Sequence, residues 1–298
     1  MRRFMPKVSV VIPSRNERFL QQTVDSLLDN AWGEIEVFAV LDGPSSYPPL
    51  RERPNLTIVQ FEKPCGLRPA INAVADVATG TYLMKTDSHC LFAPGFDLAL
   101  SADCDGDWVV IPRRYRLDSD TWSRLEGRKA PYDLHYLCCP LTSSDGYGMH
   151  GVIWPERDRE RREILIDDTM SFQGSCWFMT MRYFKEFIGP LDVIYGTWSQ
   201  EPQEIGLKTW LGGGRVVSNK KTWYAHLHKG ARYGRGYLLS KTEVIRGHEL
   251  SARYWMGNKW SQRIHDMAWL IDEKFPNTPT WPKDWKERNE SFLNATSA

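Results

Sequence analysis

Two continuous apolar runs rich in β-branched residues, 8–12 and 35–41, constrain the fold more than any other feature. The segment between them has helical spacing, with Leu20, Val24, Leu27 and Leu28 on one face. Strand, helix and strand in this order form a βαβ unit, whose two strands are parallel. Because both runs are apolar on both faces, we predict an α/β fold with a mostly parallel sheet covered by helices on each side.

The same alternation continues along the chain. Further strands are predicted at 56–61, 82–86, 108–111 and 216–225, and further helices at 69–78 and within 196–214. Residues 174–192 predict a strand that leads into a short helix. Residues 113–170 lack a regular pattern, and we interpret them as an insertion of loops and short helices.

These patterns predict one domain over residues 1–240. Helical spacing alternates with turn signals in residues 241–298, which we interpret as a helical extension packed on that domain. The extension is rich in tryptophan, at Trp255, Trp260, Trp269, Trp281 and Trp285. Its last part is interrupted by prolines and is expected to lie along the surface.

Composition limits the class of protein. With 38 Lys and Arg against 37 Asp and Glu, the formal net charge is +1, so no overall field indicates nucleic acid or an anionic membrane as a partner. Pro13 and Arg15 interrupt the first apolar run, which is too short for a signal sequence or a membrane span. We therefore expect a soluble, cytoplasmic protein without membrane insertion. The six cysteines contain no CxxC pair, which favours reduced thiols.

Polar residues follow the predicted strands where the strands end. They are residues 13–17, Asp42 with Gly43, and residues 87–89. In open α/β sheets, ligands bind beyond the carboxyl ends of the strands. Asp87 and His89 are two residues apart, so on a regular strand they would share one face and could bind one metal ion. A carboxylate with an imidazole suits Mn²⁺, although a lone histidine is more often hydrogen-bonded and structural.

The stretches VSVVIPSRNE, EVFAVLDGPS and GLRPAINAVADVATGTYLMKTDSHC resemble the N-terminal half of family 2 type glycosyltransferases with the GT-A fold. In that resemblance Asp87-x-His89 stands where the family carries its metal motif. The His variant followed by Cys90 is similar to the polypeptide N-acetylgalactosaminyltransferases. The resemblance implies a nucleotide-sugar site with a Mn²⁺ or Mg²⁺ cofactor. Its implied nucleotide-sugar-binding residues in this half are Pro13, Arg15, Glu17, Asp42, Arg68, Asp87 and Ser88.

The resemblance extends into the second half, to about residue 240. GTWSQEPQEIGLKTW is similar to a W-x-x-E-x-x-E helix start, which implies catalytic roles for Trp198, Glu201 and Glu204. TWYAHLHKGARYGRGY resembles the segment that supplies the last metal ligand and a lid. His226 aligns with that ligand better than His228. The implied nucleotide-sugar contacts from the lid are Lys229, Arg232 and Tyr233.

The implied function is transfer of a hexose or N-acetylhexosamine from a UDP-linked donor to a hydroxyl acceptor. Retention of configuration is favoured, whereas inversion would use Glu201 or Glu204 as a base. The insertion at 113–170 is expected on the acceptor side. Arginine and lysine alternate with aromatic residues there and in ARYWMGNKW, which makes a hydroxymethylated DNA base a candidate acceptor beside a glycan. The alternatives are a sugar nucleotidyltransferase, or a non-catalytic nucleotide-sugar or nucleic-acid binding protein.

Most of these residues also have a simpler interpretation. Asp42 before Gly43 is a turn signal, Arg15 and Arg68 could form surface ion pairs, and Glu201 could be a solvated first-turn carboxylate. The lid could be a basic surface loop, and its glycines could be plain flexible positions. Ser199-Gln200 stands where the family carries a pair of glycines, so the shape of the sugar pocket is left open.

Overall fold

The computed structural model describes residues 6–127, 131–143 and 148–295. Its strands are β1 (Lys7–Ser14), β2 (Glu34–Asp42), β3 (Leu56–Phe61), β4 (Tyr82–Thr86), β5 (Cys90–Phe92), β6 (Trp108–Asp118), β7 (Ser123–Arg124), β8 (His135–Leu137), β9 (Gly151–Ile153), β10 (Ile166–Asp168), β11 (Cys176–Thr180) and β12 (Arg215–His226). Its α-helices are α1 (Leu20–Asn30), α2 (Leu67–Val77), α3 (Phe96–Ala102), α4 (Pro155–Glu160), α5 (Met181–Tyr183), α6 (Glu201–Leu211), α7 (Gly230–Tyr233), α8 (Lys241–Met256) and α9 (Trp285–Asn294). Phe184–Ile188 and Trp269–Lys274 are π-helical turns, and Val193–Tyr195 is a 3₁₀ turn.

Ten of these strands form one sheet. Its main order is β10-β12-β6-β11-β4-β1-β2-β3, with β5 paired to β12 and β7 paired to β6. The part from β3 to β4 is parallel, as predicted. Beyond β4 the sheet is mixed, because β11 runs antiparallel to both β4 and β6. An antiparallel strand needs no helical crossover. The apolar pattern of β11 is the same for either direction, so the sequence did not show that this strand runs antiparallel to its neighbours.

Two cores cover the two faces of the sheet. Alternate residues of the central strands point to opposite faces, as the pleat requires. One core contains Val10, Met84, Val110 and Val217 with residues of α1 and α3. The other contains Val11, Leu83, Val109 and Val216 with residues of α2 and α6. Trp255, Trp260, Phe275 and Trp285 join this second core, so the C-terminal helices pack on the same face as α6.

Two expectations from the sequence are wrong in part. β6 continues to Asp118, and residues 113–170 also contain the β8–β9 hairpin and β10, so the region is not only loops and short helices. Arginines inside β6 hid the strand, because their charged side chains break the apolar pattern, although the guanidinium groups of Arg114 and Arg116 lie over the ring of Tyr132. The tail is also more regular than expected, since α9 anchors Trp285 in the core.

The register brings the strand ends to one edge. Ser14 at the end of β1 pairs with Leu41, next to Asp42 at the end of β2. β4 lies on the other side of β1 and ends at Thr86, immediately before Asp87. β12 ends at His226, which pairs with Cys90 of β5. Polar residues from four separate segments therefore meet at this edge.

Candidate active site

Asp87, His89 and His226 form a compact group, here called the metal cluster. One ligand atom from each residue lies within 4.8 Å of the others. Nε2 of His226 is 3.2 Å from Oδ2 of Asp87 and 3.1 Å from Nε2 of His89. Asp87 and His89 lie between β4 and β5, and His226 comes from β12. The pairing of β5 with β12 thus holds the three side chains together.

Glu17 supports His89 from behind. Oε2 of Glu17 is 3.1 Å from Nδ1 of His89 and accepts a hydrogen bond from Nζ of Lys229 at 2.7 Å. Burial acts to raise the pKa of Glu17, but His89 and Lys229 outweigh it and lower this pKa. An ionised carboxylate on Nδ1 fixes the ring and leaves Nε2 facing the cluster. This is the arrangement of a carboxylate that orients a metal-binding histidine.

Lys85 lies beneath Asp87. Its buried ammonium donates to Oδ1 of Asp87 at 2.7 Å and to the carbonyl of Gly174, and it is 3.9 Å from Oε2 of Glu201. Burial acts to lower the pKa of Lys85, but the two carboxylates raise it overall. Burial likewise opposes ionisation of Asp87, but Lys85 and His226 hold its pKa well below the usual range. Asp87 is therefore ionised and has Oδ2 on the cluster side.

The two histidines of His226-x-His228 have different surroundings. His226 is buried, and burial lowers its pKa to about 3 although Asp87 acts in the opposite direction. A neutral imidazole is the form that binds metals. His228 is exposed, with its ring centroid 5.1 Å from that of His226, and lies outside the metal cluster.

A pocket of about 440 Å³ opens beside the metal cluster. Its walls come from the ends of β1, β2 and β4, from Thr197 and Trp198, and from residues 226–237. Predicted site residues in the lining are Pro13, Arg15, Glu17, Asp42, Asp87, Ser88, His89, Trp198, His226, His228 and Lys229. The volume falls in the range of small-molecule and cofactor sites. The structure thus groups residues that lie as far apart in sequence as Pro13 and Lys229.

The segment 229–237, here called the lid, lines one side of this pocket. The guanidinium of Arg15 lies 4.8 Å from the ring centroid of Tyr237, and that of Arg235 lies 4.5 Å from the ring of Trp198. The side-chain amide of Asn16 donates to the carbonyl of Gly236 at 2.9 Å. These contacts join the lid to the loop after β1 and to the loop before α6.

The sequence profile described as Glycosyl transferase family 2 matches residues 9–187, which is more than half of the chain. The chain belongs to this family. Polypeptide N-acetylgalactosaminyltransferase 5 of Caenorhabditis elegans is 29% identical over 234 residues, covering 71% of this chain and 35% of the relative. Polypeptide N-acetylgalactosaminyltransferase 4 of Mus musculus is 25% identical over 264 residues, covering 80% of this chain and 43% of that relative. The chain therefore spans less than half the length of these curated relatives.

Solved structures support the fold of this family 2 member. GalNAc-T7, crystallised with UDP, GalNAc and Mn²⁺, matches with a TM-score of 0.61 at 18% identity, covering 97% of this chain and 55% of the other. Residues 1–349 of S. aureus TarS, in complex with UDP-GlcNAc, match with a TM-score of 0.51 at 16% identity, covering 86% of this chain and 68% of the TarS chain. The predicted GT-A type of α/β fold is confirmed. Among the described residues, no helix is both long and apolar enough to cross a bilayer.

Two residues implied by the family resemblance lie away from the pocket. Arg68 is fully buried, donates to Oε2 of Glu204 at 2.6 Å and to the carbonyl of Ser199 at 2.8 Å, and contacts the ring of Tyr195. Glu204 also accepts from Lys208 at 2.9 Å. Arg68 is not among the residues that line the pocket, and its expected contact with the nucleotide stays a prediction. The pair joins α2 to α6.

Glu201 is also buried behind the pocket. Its carboxylate accepts a hydrogen bond from the indole of Trp177, and its pKa is raised because burial outweighs the effect of Lys85. Gln200 before it has φ of +64°, a conformation that favours glycine, and donates to the carbonyl of Met149 at 3.1 Å. Gln200 therefore occupies a glycine-like position in the stretch where the family carries two glycines.

Asp42 and the outer part of the lid have contacts of their own. Asp42 accepts hydrogen bonds from the backbone N–H groups of Cys65 and Gly66, so it both borders the pocket and fixes the loop before α2. Arg232 forms an exposed ion pair with Asp120, and the hydroxyl of Tyr233 is 2.8 Å from Ser119. These last two residues anchor the lid outside the pocket.

Sequence reasoning missed two residues as site residues. Lys85 touches Asp87, and Tyr237 stacks on Arg15. A lysine inside the apolar run of β4 was a usable signal, because a buried lysine needs an anionic partner. Tyr237 carried no separate signal, since its role depends on how residues 229–237 fold beside the pocket.

Proposed function

We propose that this family 2 glycosyltransferase domain moves a hexose or N-acetylhexosamine from a UDP-linked donor to a hydroxyl acceptor, with a divalent metal ion. The observation that carries the proposal is the convergence of Asp87, His89 and His226 on one side of a pocket of about 440 Å³. The UDP of the GalNAc-T7 structure and the UDP-GlcNAc of the TarS structure support a uridine nucleotide.

The metal cluster fits Mn²⁺ or Mg²⁺. Adjacent ligands of an octahedral ion with bonds of ~2.1 Å lie ~3.0 Å apart. The separations at His226, 3.2 Å to Asp87 and 3.1 Å to His89, agree with this spacing. One carboxylate oxygen with two imidazole nitrogens leaves positions for a diphosphate and water. When bound, the ion would offset negative charge on the departing nucleoside diphosphate.

The pocket residues have distinct proposed roles toward the donor. Asp42 and the loop after β1 border the end expected to hold the uracil and ribose. Arg15, Lys229 and Arg235 place positive charge around the space for the diphosphate. Two contacts keep the lid closed, the stacking of Arg235 on Trp198 and the hydrogen bond from Asn16 to Gly236. A closed lid excludes water that would otherwise hydrolyse the donor.

Retention of configuration is the outcome that this site favours. An inverting enzyme needs a carboxylate base near the acceptor hydroxyl. Among the described residues, the carboxylates lining the pocket are Glu17, Asp42 and Asp87, and each already contacts neighbouring protein groups. Glu201 and Glu204, the two candidate bases, are buried in contacts with Trp177 and Arg68. We infer front-side attack without a protein base.

The acceptor is proposed to be a glycan hydroxyl in preference to a DNA base. Binding of unpaired bases needs exposed aromatic rings. In ARYWMGNKW, Trp255 and Trp260 belong to the buried core. In the 113–127 region, Trp122 is stacked on Phe19. The cationic and aromatic pattern in these segments therefore reflects packing more than an open surface for bases.

Release of nucleoside diphosphate tests the proposal. The protein is incubated with UDP- and GDP-sugars, with Mn²⁺ or with chelator, beside the variants Asp87→Ala and Asp76→Ala; Asp76 is an exposed residue of α2 and serves as the control. We expect metal-dependent release from a UDP-sugar, lost in D87A and kept in D76A. If release is absent and calorimetry also shows no Mn²⁺-dependent donor binding, the proposed function is wrong.

A further inference from the structure

Arg114 in β6 is buried, and no carboxylate of the described residues forms an ion pair with it. The residue is 4% exposed, and in the same part of the chain neither Nε nor Nη1 has a hydrogen-bond partner. Nη2 is 3.5 Å from Nε2 of His135, and the guanidinium lies 5.0 Å from the ring centroid of Tyr132. The neighbouring Arg113, by contrast, forms a two-point contact with Asp133. A buried charge normally has a paired charge, so the donors of Arg114 call for a partner.

Arg116 lies on the same face, two residues further along β6. Its Nε donates to the hydroxyl of Tyr132 at 3.0 Å, and its guanidinium is 5.8 Å from the same ring. Within the part of the chain that the structure describes, no carboxylate forms an ion pair with Arg116. Arg114, Arg116 and Tyr132 are here called the arginine subsite. It presents two planar guanidinium groups, which match the oxygen atoms of a carboxylate or phosphate.

The arginine subsite is adjacent to the metal cluster. Arg116 is the register partner of His226, and Arg114 is the register partner of Tyr224. Because residues paired in a parallel ladder point to the same face, the arginines lie one strand away from a proposed metal ligand and on its side of the sheet. The strand spacing is about 4.8 Å. An anion bound there would lie close to the place where transfer occurs.

The position also separates this subsite from the donor. At its carboxyl end, β12 lies between β6 on one side and β5 on the other. Asp87 and His89 precede β5, and the pocket continues from them toward β1 and β2. The arginines lie on the opposite side of His226. The arginines therefore do not lie on the side of His226 where the diphosphate of the donor is proposed to bind.

His135 beside the subsite is neutral. Burial, together with a smaller effect of nearby Arg114, lowers the pKa of His135 to about 3. A neutral imidazole can donate a hydrogen bond without adding repulsion between cations.

We propose that the arginine subsite binds an anionic group, a carboxylate or a phosphate, carried by the saccharide acceptor. The inference rests on the proposed function and narrows it to acidic acceptors. A saccharide fits better than nucleic acid, because the ring of Tyr132 already contacts both guanidinium groups and is not open to a base.

Binding of inorganic phosphate tests the subsite without any catalysis. Phosphate is titrated by calorimetry into the metal-free full chain and into R114Q, R116Q and R124Q. Arg124 is the matched control, since it lies over Trp223 and pairs with Glu126. We expect affinity to fall about tenfold, or 1.4 kcal/mol, in R116Q and to stay unchanged in R124Q. Because R114Q alters a buried position, its folding is checked by circular dichroism and R116Q decides the result. Equal affinity in wild type, R116Q and R124Q would overturn the inference.

Acceptor turnover gives the second test. The donor that the release assay identifies is offered to three acceptors: methyl glucoside, methyl glucuronide and methyl glucoside 6-phosphate. Comparison of the last two distinguishes a carboxylate from a phosphate. We expect at least one charged acceptor to exceed the neutral one about tenfold, and the ratio to fall toward one in R116Q but not in R124Q. Turnover of an oligonucleotide with hydroxymethylated cytosine, without turnover of charged saccharides, would overturn the saccharide assignment.

The two hypotheses can fail separately. Suppose that the wild-type protein releases no nucleoside diphosphate from any donor, but that R116Q binds phosphate more weakly than the wild type. The anion site then stands and the proposed function is wrong. If donor release is metal-dependent but neutral and charged acceptors react equally, the proposed function stands and the acidic acceptor is wrong.

Discussion

Oε2 of Glu17 lies 3.1 Å from Nδ1 of His89. The same oxygen accepts a hydrogen bond from Lys229 at the start of the lid, at 2.7 Å. One carboxylate therefore touches both a candidate metal ligand and the segment that lines one side of the pocket. We expect the position of the lid and the orientation of His89 to be coupled through this single group.

Glu17→Gln should weaken Mn²⁺ binding. The amide keeps the size of the side chain but loses the charge that fixes the tautomer of His89, and loss of such partners lowers metal affinity about 10- to 100-fold. The dissociation constant is measured by electron paramagnetic resonance of free Mn²⁺. The exposed Glu62→Gln is the control. An unchanged constant in E17Q would show that Glu17 does not orient a ligand.

Arg68→Met should destabilise the fold without changing the affinity for UDP. The substitution leaves Glu204 buried without its main cation, and breaking a buried pair costs about 3–5 kcal/mol. Lys208 still contacts Glu204, so we expect the lower end of this range. Urea unfolding gives the stability, and the double variant R68M/E204M should recover part of it. A large loss of UDP affinity in folded R68M would instead favour contact with the nucleotide.

Gly236→Ala should open the lid. A Cβ at this position would collide with the carbonyl oxygen of Asn16, which is backbone and cannot move alone. We expect UDP affinity to fall about tenfold by calorimetry and trypsin to cut sooner in the lid. Gly106→Ala is the control, because its Cβ would meet only the side chain of Arg182 at 3.6 Å. Equal affinity and equal cleavage in both variants would contradict a closing role for this segment.

Asp168 should make the free energy of unfolding depend on pH in the acid range. Burial acts to raise its pKa, but Lys274 and Arg215 lower it below 3.8. A lowered folded pKa adds stability above pH 3.8 that is lost as the pH falls through the folded value. The free energy of unfolding of the wild type should therefore exceed that of D168N by about 1 kcal/mol at pH 7, and this difference should shrink below about pH 4. Urea unfolding at both pH values measures it, with the exposed D284N as control. A constant difference would exclude this linkage.

Several elements could be predicted from sequence because their signals are local. β3 and β4 have the predicted bounds, since each is a short apolar run between turn residues. Asp87-x-His89 was identified by spacing and by its place after a strand, and the structure places both residues in the metal cluster. The helix from Glu201 to Leu211 was also predicted, because glycines follow it directly.

Residues near one another in the chain are enough to predict the βαβ pattern, the positions of the polar strand ends and the membership of family 2. Which charges become partners depends on contacts that form only in the folded chain. Arg68 meets Glu204 across 136 positions, whereas Arg114 meets no carboxylate of the described chain. Only the pairing of β6 with β12 reveals that Arg116 lies beside His226. The energy of a buried charge depends on its distance to other charges and on its exposure to water, and both are set by contacts between segments far apart in sequence.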